Sequence, residues 1–112
     1  MTKDDIDAHC LSLPGAHKVV QWKGAQVYKV AEKLFAIIGG DGRRITLKCA
    51  DAETAAFLIE IGAATPAPHL KRGGWISLQI DDIGDEEMAE RVTTSYATVR
   101  DSLPKRLREA LV

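Results

Sequence analysis

Three kinds of side chain among these 112 residues could do chemistry: two thiols, three imidazoles and two blocks of opposite charge. Cys10 and Cys49 are the only cysteines and lie far apart, so they form neither a Cys-x-x-Cys redox pair nor a disulfide framework. His9 and Cys10 are neighbours on a helical stretch and diverge by about 100°, a poor chelate. His17, Cys49 and His69 fall on separate elements, so local spacing offers no metal site. Both thiols occupy apolar positions, where cysteine behaves as a small hydrophobe, and neither has the His–Asp accompaniment of a nucleophile. No Gly-x-x-x-x-Gly-Lys-Ser/Thr, Gly-x-Gly-x-x-Gly, Gly-x-Ser-x-Gly or His-Glu-x-x-His pattern occurs. Gly39-Gly40-Asp41-Gly42 is glycine-rich but runs into a strand, so it reads as a hairpin turn rather than an anion cradle. No two titratable groups are placed to act as acid and base. The chain is therefore read as a binder, with no catalytic residue, no cofactor and no metal.

The charges are segregated. Residues 17–50 carry Lys18, Lys23, Lys29, Lys33, Arg43, Arg44 and Lys48 against only Glu32 and Asp41. Residues 81–92 carry Asp81, Asp82, Asp85, Glu86, Glu87 and Glu90 against only Arg91. A basic sheet face, extended by Lys71 and Arg72 before Trp75, has the composition to meet phosphates. The competing account is that an exposed sheet face and edge must be polar, and that lysines there deter edge-to-edge pairing. Trp75, after two glycines and two cations, is suited to stacking a base or anchoring a partner, and equally to covering the Pro66–Pro68 loop. The acidic block lacks an Asp-x-Asp-x-Asp-Gly loop, and carboxylates in a first helical turn favour the helix dipole.

Those residues must be positioned by one domain, residues 1–112. The size suits a single core, and 46% hydrophobic with 28% charged residues is an ordinary globular composition. Fifteen basic and sixteen acidic residues leave a net charge of −1, whereas strong non-specific nucleic-acid binders carry a large positive excess. The N-terminus holds three early aspartates and no apolar h-region, and no run of about 20 apolar residues exists. The expected setting is the cytoplasm, with no membrane partner.

Thr2 with Asp5 resembles a capping box and predicts a helix over 3–12, stopped by Leu13-Pro14-Gly15. The period then changes to two. Strands are expected at 19–22, 27–30, 34–38 and 45–49, an antiparallel meander in which Tyr28, Phe35 and Trp22 fill the core. Asp51 opens a second helix over 52–61 with Thr54, Phe57, Leu58 and Ile61 on one face. Residues 65–69 read as an extended loop and 75–80 as a fifth strand. A cap at Asp85 opens a long helix to about Ser102, and Pro104 starts a short final one. The order α-ββββ-α-β-α-α is an α+β fold: an antiparallel sheet with helices on one face. In 44–48, Ile45 and Leu47 alternate with Arg44, Thr46 and Lys48; in 75–80, Ile76, Leu78 and Ile80 alternate with Trp75, Ser77 and Gln79.

Five stretches, in order, resemble the MmcQ/YjbR family: Leu11-Ser12-Leu13-Pro14-Gly15-Ala16, the run Tyr28 to Ala36, Ile45-Thr46-Leu47-Lys48, Pro66 through Trp75, and Ser95-Tyr96 with Leu103-Pro104-Lys105. Gly73-Gly74 stands where bulkier residues are common. The resemblance implies a frataxin (CyaY)-like fold and DNA binding through a double-wing arrangement of β-hairpins, without catalytic residues. It maps a nucleic-acid surface onto Lys29, Lys33, Arg43, Arg44, Lys48, Lys71 and Arg72, with Trp75 as a stacking residue. Two alternatives stay open: a protein-interaction or adaptor module, as such folds and secretion-chaperone-like ones provide, and iron handling at the acidic block. A monomer is expected.

Overall fold

The computed structural model describes residues 1–70 and 73–111, with Trp22 described by its backbone alone. Its first helix, α1 (Lys3–Ser12), opens with the reciprocal cap that the Thr–Asp spacing predicts. The Asp5 N–H donates to the Thr2 hydroxyl at 3.1 Å, and the Thr2 N–H donates to the Asp5 carboxylate at 2.9 Å. Four strands follow: β1 (Ala16–Val20), β2 (Gln26–Val30), β3 (Lys33–Ile38) and β4 (Arg44–Lys48). Asp51 caps α2 (Ala52–Glu60) by accepting from the Thr54 N–H at 2.7 Å. Then come β5 (Thr65–Pro66), β6 (Trp75–Gln79), α3 (Asp85–Asp101) and α4 (Lys105–Glu109). All strand pairings are antiparallel, in the order β1-β2-β3-β4-β6-β5. Helices α1 and α3 pack on the sheet, and α2 closes its β5–β6 end. No helix of the described residues is long and apolar enough to cross a membrane.

The differences from expectation have local causes. The first strand runs over 16–20 instead of 19–22, because Trp22–Gly24 winds into a 3₁₀ turn with Lys23 at φ 64°. The expected core role of the Trp22 side chain lies outside the described residues. Thr65-Pro66 forms a two-residue strand, permitted because it sits at the sheet's edge, where proline removes no needed donor. Helix α2 buries Ala55 and Leu58, while Phe57 and Ile61 are each 58% exposed. The small Ala55, not the large apolar pair, is what permits close approach to the sheet. Gly84, not Asp85, caps α3, and Asp85 is free to pair with the Met1 amino group. Pro104 is the cap of α4 and not its first residue.

One irregularity organises the core. Between Tyr28 and Lys29 the β2–β3 register slips by one, leaving Phe35 as the extra residue of a bulge. Phe35 and the adjacent Ala36 are consequently both buried, and Phe35 meets Tyr96 of α3 edge-on, 5.4 Å between ring centroids. Pairing of β3 with β4 stops at Ala36–Leu47, so the next backbone groups, Phe35 C=O and Lys48 N–H, lack a strand partner. Ser95 of α3 supplies one for both. Its buried hydroxyl donates to Phe35 O at 2.5 Å and accepts from Lys48 N–H at 2.9 Å. Next to it, the Tyr96 hydroxyl donates to Pro14 O at 2.6 Å and ties α3 to the turn after α1. On the other side of the core, the Tyr28 hydroxyl donates to Asp7 Oδ1 at 2.6 Å and lies 2.7 Å from the Gln26 amide. Lys18 also donates to Asp7, at 2.9 Å.

Two glycines fill positions that close to other residues. A Cβ on Gly40 would lie 1.9 Å from Lys23 O, so the tips of the β1–β2 and β3–β4 hairpins abut there. Gly74, at φ +85°, lies where a Cβ would be 3.2 Å from Asp51 O, and its own C=O accepts from Cys49 N–H at 2.8 Å. Gly74 is thus a requirement of the close β6–α2 approach, while Gly73 answers only to its own φ of +80°.

Ser95→Ala strands two buried backbone groups and is expected to remove about 2 kcal/mol. That is a fall in Tm of about 8–12 °C by thermal unfolding. Asp7 gives a pH signature. Bonds from Tyr28 and Lys18 hold its carboxyl below the ordinary value of 3.8, so folding favours the charged form. The stabilisation is present above 3.8 and lost as pH falls through the lower folded value. Asp7→Asn should be less stable than the parent at pH 6, with the difference shrinking toward pH 2 in urea titrations.

Candidate nucleic-acid interface

Antiparallel partners share a sheet face, so the pairings assign every strand residue to a side. One row, Val19–Val27–Ile37–Thr46–Ser77–Thr65, crosses all six strands on the face away from α1 and α3. Lys29, Arg44 and Lys48 belong to the same side, with His17, Gln79 and Trp75 as their cross-strand partners. The opposite side holds the buried row Tyr28–Ala36–Leu47–Ile76. No aspartate or glutamate occurs in any of the six strands. Among the described residues, no ion pair involves Lys29, Arg43, Arg44 or Lys48.

The cations of this face are not equivalent. Arg44 lies across β6 and β5 with its guanidinium filled by neutral acceptors. Its Nε donates to Ser77 Oγ at 2.9 Å, Nη1 to Gln79 Oε1 at 3.0 Å, and Nη2 to Thr65 Oγ1 at 2.9 Å and Ser77 O at 3.1 Å. The outward-facing Ser77 is only 4% exposed. The fixed fork of five donors is what allows one side chain to serve three strands. Lys48 places its Nζ 5.7 Å from the centre of the Trp75 ring, a cation–π contact on half-buried Trp75. Arg43 is exposed at the β3–β4 turn, and Lys29 is half-buried on β2.

The family model YjbR matches residues 11–98, a span that contains all six strands and Ser95. The chain belongs to the YjbR family. A similar solved structure is the crystal structure of a Deinococcus radiodurans protein with the DUF419 domain. It is 26% identical, with a TM-score of 0.85, over 98% of this chain and 87% of that one. A search of curated proteins finds no match. The α+β architecture expected of the resemblance is present, with the short β5 added at the edge.

Within this YjbR chain the expected surface residues divide. Lys29, Arg44, Lys48 and Trp75 share the face away from α1 and α3, and Arg43 stands exposed at its rim. Lys33 does not join them. It pairs with Val30 on the helix-covered side and donates to Ser102 Oγ at 3.2 Å. The bulge at Phe35 is the reason, because a one-residue slip reverses the facing of everything beyond it. Lys71 and Arg72 lie outside the described residues. Lys18 also faces the helices, paired with Asp7. The segment's positive excess is therefore shared between two faces. Thr65, Ser77 and Gln79, the acceptors that hold Arg44, were not anticipated. Alternating polar positions on β6 place Ser77 and Gln79 outward, but no sequence signal aligns them with Arg44.

The remaining candidates have structural settings. Cys10 and Cys49 are buried and free. Burial, with Asp7 nearby, pushes the Cys10 thiol up to about 12, and burial also raises Cys49. Neither is a thiolate at neutral pH. In the acidic block, Glu87 pairs with Arg91 at 2.8 Å and Asp85 with the Met1 amino group. Among the described residues, no three His, Cys, Asp or Glu side chains converge as metal ligands.

Arg44→Ala leaves Ser77, Gln79 and Thr65 without their donor and should cost about 1–3 kcal/mol in chemical denaturation. Lys48→Ala, which removes a single cation–π contact, should cost no more than about 1 kcal/mol.

Proposed function

We propose that this chain binds nucleic acid, DNA first of all, through the sheet face turned away from α1 and α3, and that it does so without catalysis. The observation that carries this is a six-stranded face with Lys29, Arg44 and Lys48 pointing outward and no carboxylate in any strand. Phosphate contacts need cations that remain free of acidic neighbours, since a paired lysine releases no counterion from the polymer. Lys29, Lys48 and rim-exposed Arg43 supply such charges, while Arg44 adds field without a free donor set. In the double-wing arrangement, the β1–β2 and β3–β4 hairpins would be the wings, held tip to tip at Gly40 and Lys23. A cytoplasmic setting fits two buried, unpaired cysteines.

A second reading, contact with another protein, draws on Phe57 of α2 and Ile61 at its C-cap, both exposed and one turn apart. It predicts association that survives high salt, because burial of apolar side chains is not screened.

The test is titration of labelled DNA across salt concentrations. Three phosphate contacts give a log K against log salt slope of about −2.7 on duplex, with affinity at the weak end of the roughly 10⁻⁴–10⁻⁶ M non-specific range. Lys29→Glu with Lys48→Glu should abolish binding without unfolding the chain, since neither side chain holds strands together as Arg44 does. Unchanged affinity in that double variant overturns the proposal.

A further inference from the structure

An apolar groove opens beside the basic face. It runs between α2 and the β5–β6 end of the sheet, with Ala52, Ala56 and Ile59 on one side and Pro66 and Ala67 on the other. Gly73, Gly74 and Trp75 also line it. Its volume of about 520 Å³ falls within the roughly 300–1,000 Å³ of small-ligand sites. Among the described residues no lining side chain is charged, and the Trp75 indole N–H is the one side-chain hydrogen-bonding group. The charge lies just outside. Lys48 Nζ sits 5.7 Å from the Trp75 ring centre and 3.6 Å from where a Gly73 Cβ would stand. The ammonium therefore borders a slot walled by alanine, proline, glycine and one indole.

Resting on the sheet-face reading above, we propose that this groove takes an unpaired nucleobase of a single strand, laid against Trp75, with the strand's phosphate at Lys48. The occupant must be flat and apolar enough for a slot whose described lining is apolar apart from the Trp75 indole N–H, and must carry an anion beside its ring to meet Lys48. A nucleotide has both features. A base within a duplex cannot enter, because it is stacked on both sides and leaving the stack costs a few kcal/mol. The partner is thus single-stranded nucleic acid. Stacking without hydrogen-bonded edges also implies little preference among the bases.

The experiment compares a 12-nucleotide oligothymidine, a duplex of the same length and an abasic strand with the same phosphates, each titrated at low salt. Oligothymidine should bind about tenfold more tightly than the abasic strand, and more tightly than duplex. Trp75→Leu should reduce it to the abasic level. Ala56→Leu, at an exposed helical position with a good helix former, should do the same by filling the groove while Trp75 stays in place. Thermal unfolding checks that both variants fold, and Ala56→Leu, which removes no residue of the basic face, should leave abasic binding unaltered. Equal affinity for oligothymidine and the abasic strand, or for oligothymidine and duplex, overturns the inference and leaves the sheet-face proposal standing. So does an Ala56→Leu chain that binds like the parent. Absence of binding to all three nucleic acids overturns both.

Discussion

A single hydroxyl holds the α and β layers in register. The bulge in β3 leaves Phe35 C=O and Lys48 N–H beyond the end of the β3–β4 ladder, and buried backbone groups of this kind are costly unless paired. Ser95 projects from the middle of α3 and satisfies both. The contact fixes which turn of α3 lies over the central strands, and it fixes the backbone of Lys48, whose side chain emerges on the opposite face. Tyr96 extends the anchorage to Pro14, and its ring meets Phe35. Three stretches distant in sequence are thereby locked together: the turn after α1, the bulged strand and the long helix.

From that frame follows a division of labour among the cations. Arginine and lysine carry the same charge but different donor geometry, and this sheet uses the difference. Arg44 is committed to its own fold, joining β4, β6 and β5 through neutral acceptors. Lys48 is tethered only by an aromatic face, and Lys29 and Arg43 have no carboxylate partner among the described residues. The charge of Arg44 still adds to the potential of the face. Its substitution, however, perturbs the edge strands, so the lysines are the cleaner probes of any polyanion contact.

Much of the architecture was legible where the determining signals are local. Thr2 with Asp5 as a capping box, and Asp51 as a cap, mark the two helix starts correctly. Ile45 and Leu47 alternate cleanly with Arg44, Thr46 and Lys48, and the burial of β4 follows them. Illegible features depend on distant partners. Lys33-Leu34-Phe35-Ala36-Ile37-Ile38 contains no glycine to announce a bulge, so simple alternation misplaces Lys33 on the open face. The acceptors of Arg44 come from positions more than twenty residues away. On α2, side-chain size misleads: a helix pressed close to a sheet can bury alanine and leave phenylalanine outside.

Because all six strands lack acids while the first turn of α3 holds three, this nearly neutral molecule separates some of its charge between strands and helix. With a net charge of −1 it exerts almost no long-range pull on a polyanion. At physiological ionic strength the field of the sheet fades over about 8 Å. Capture then depends on orientation within a short encounter zone, and an acidic end that arrives first is repelled. On the proposed reading, contacts with anionic polymers are therefore brief and easily released, and most collisions leave no complex.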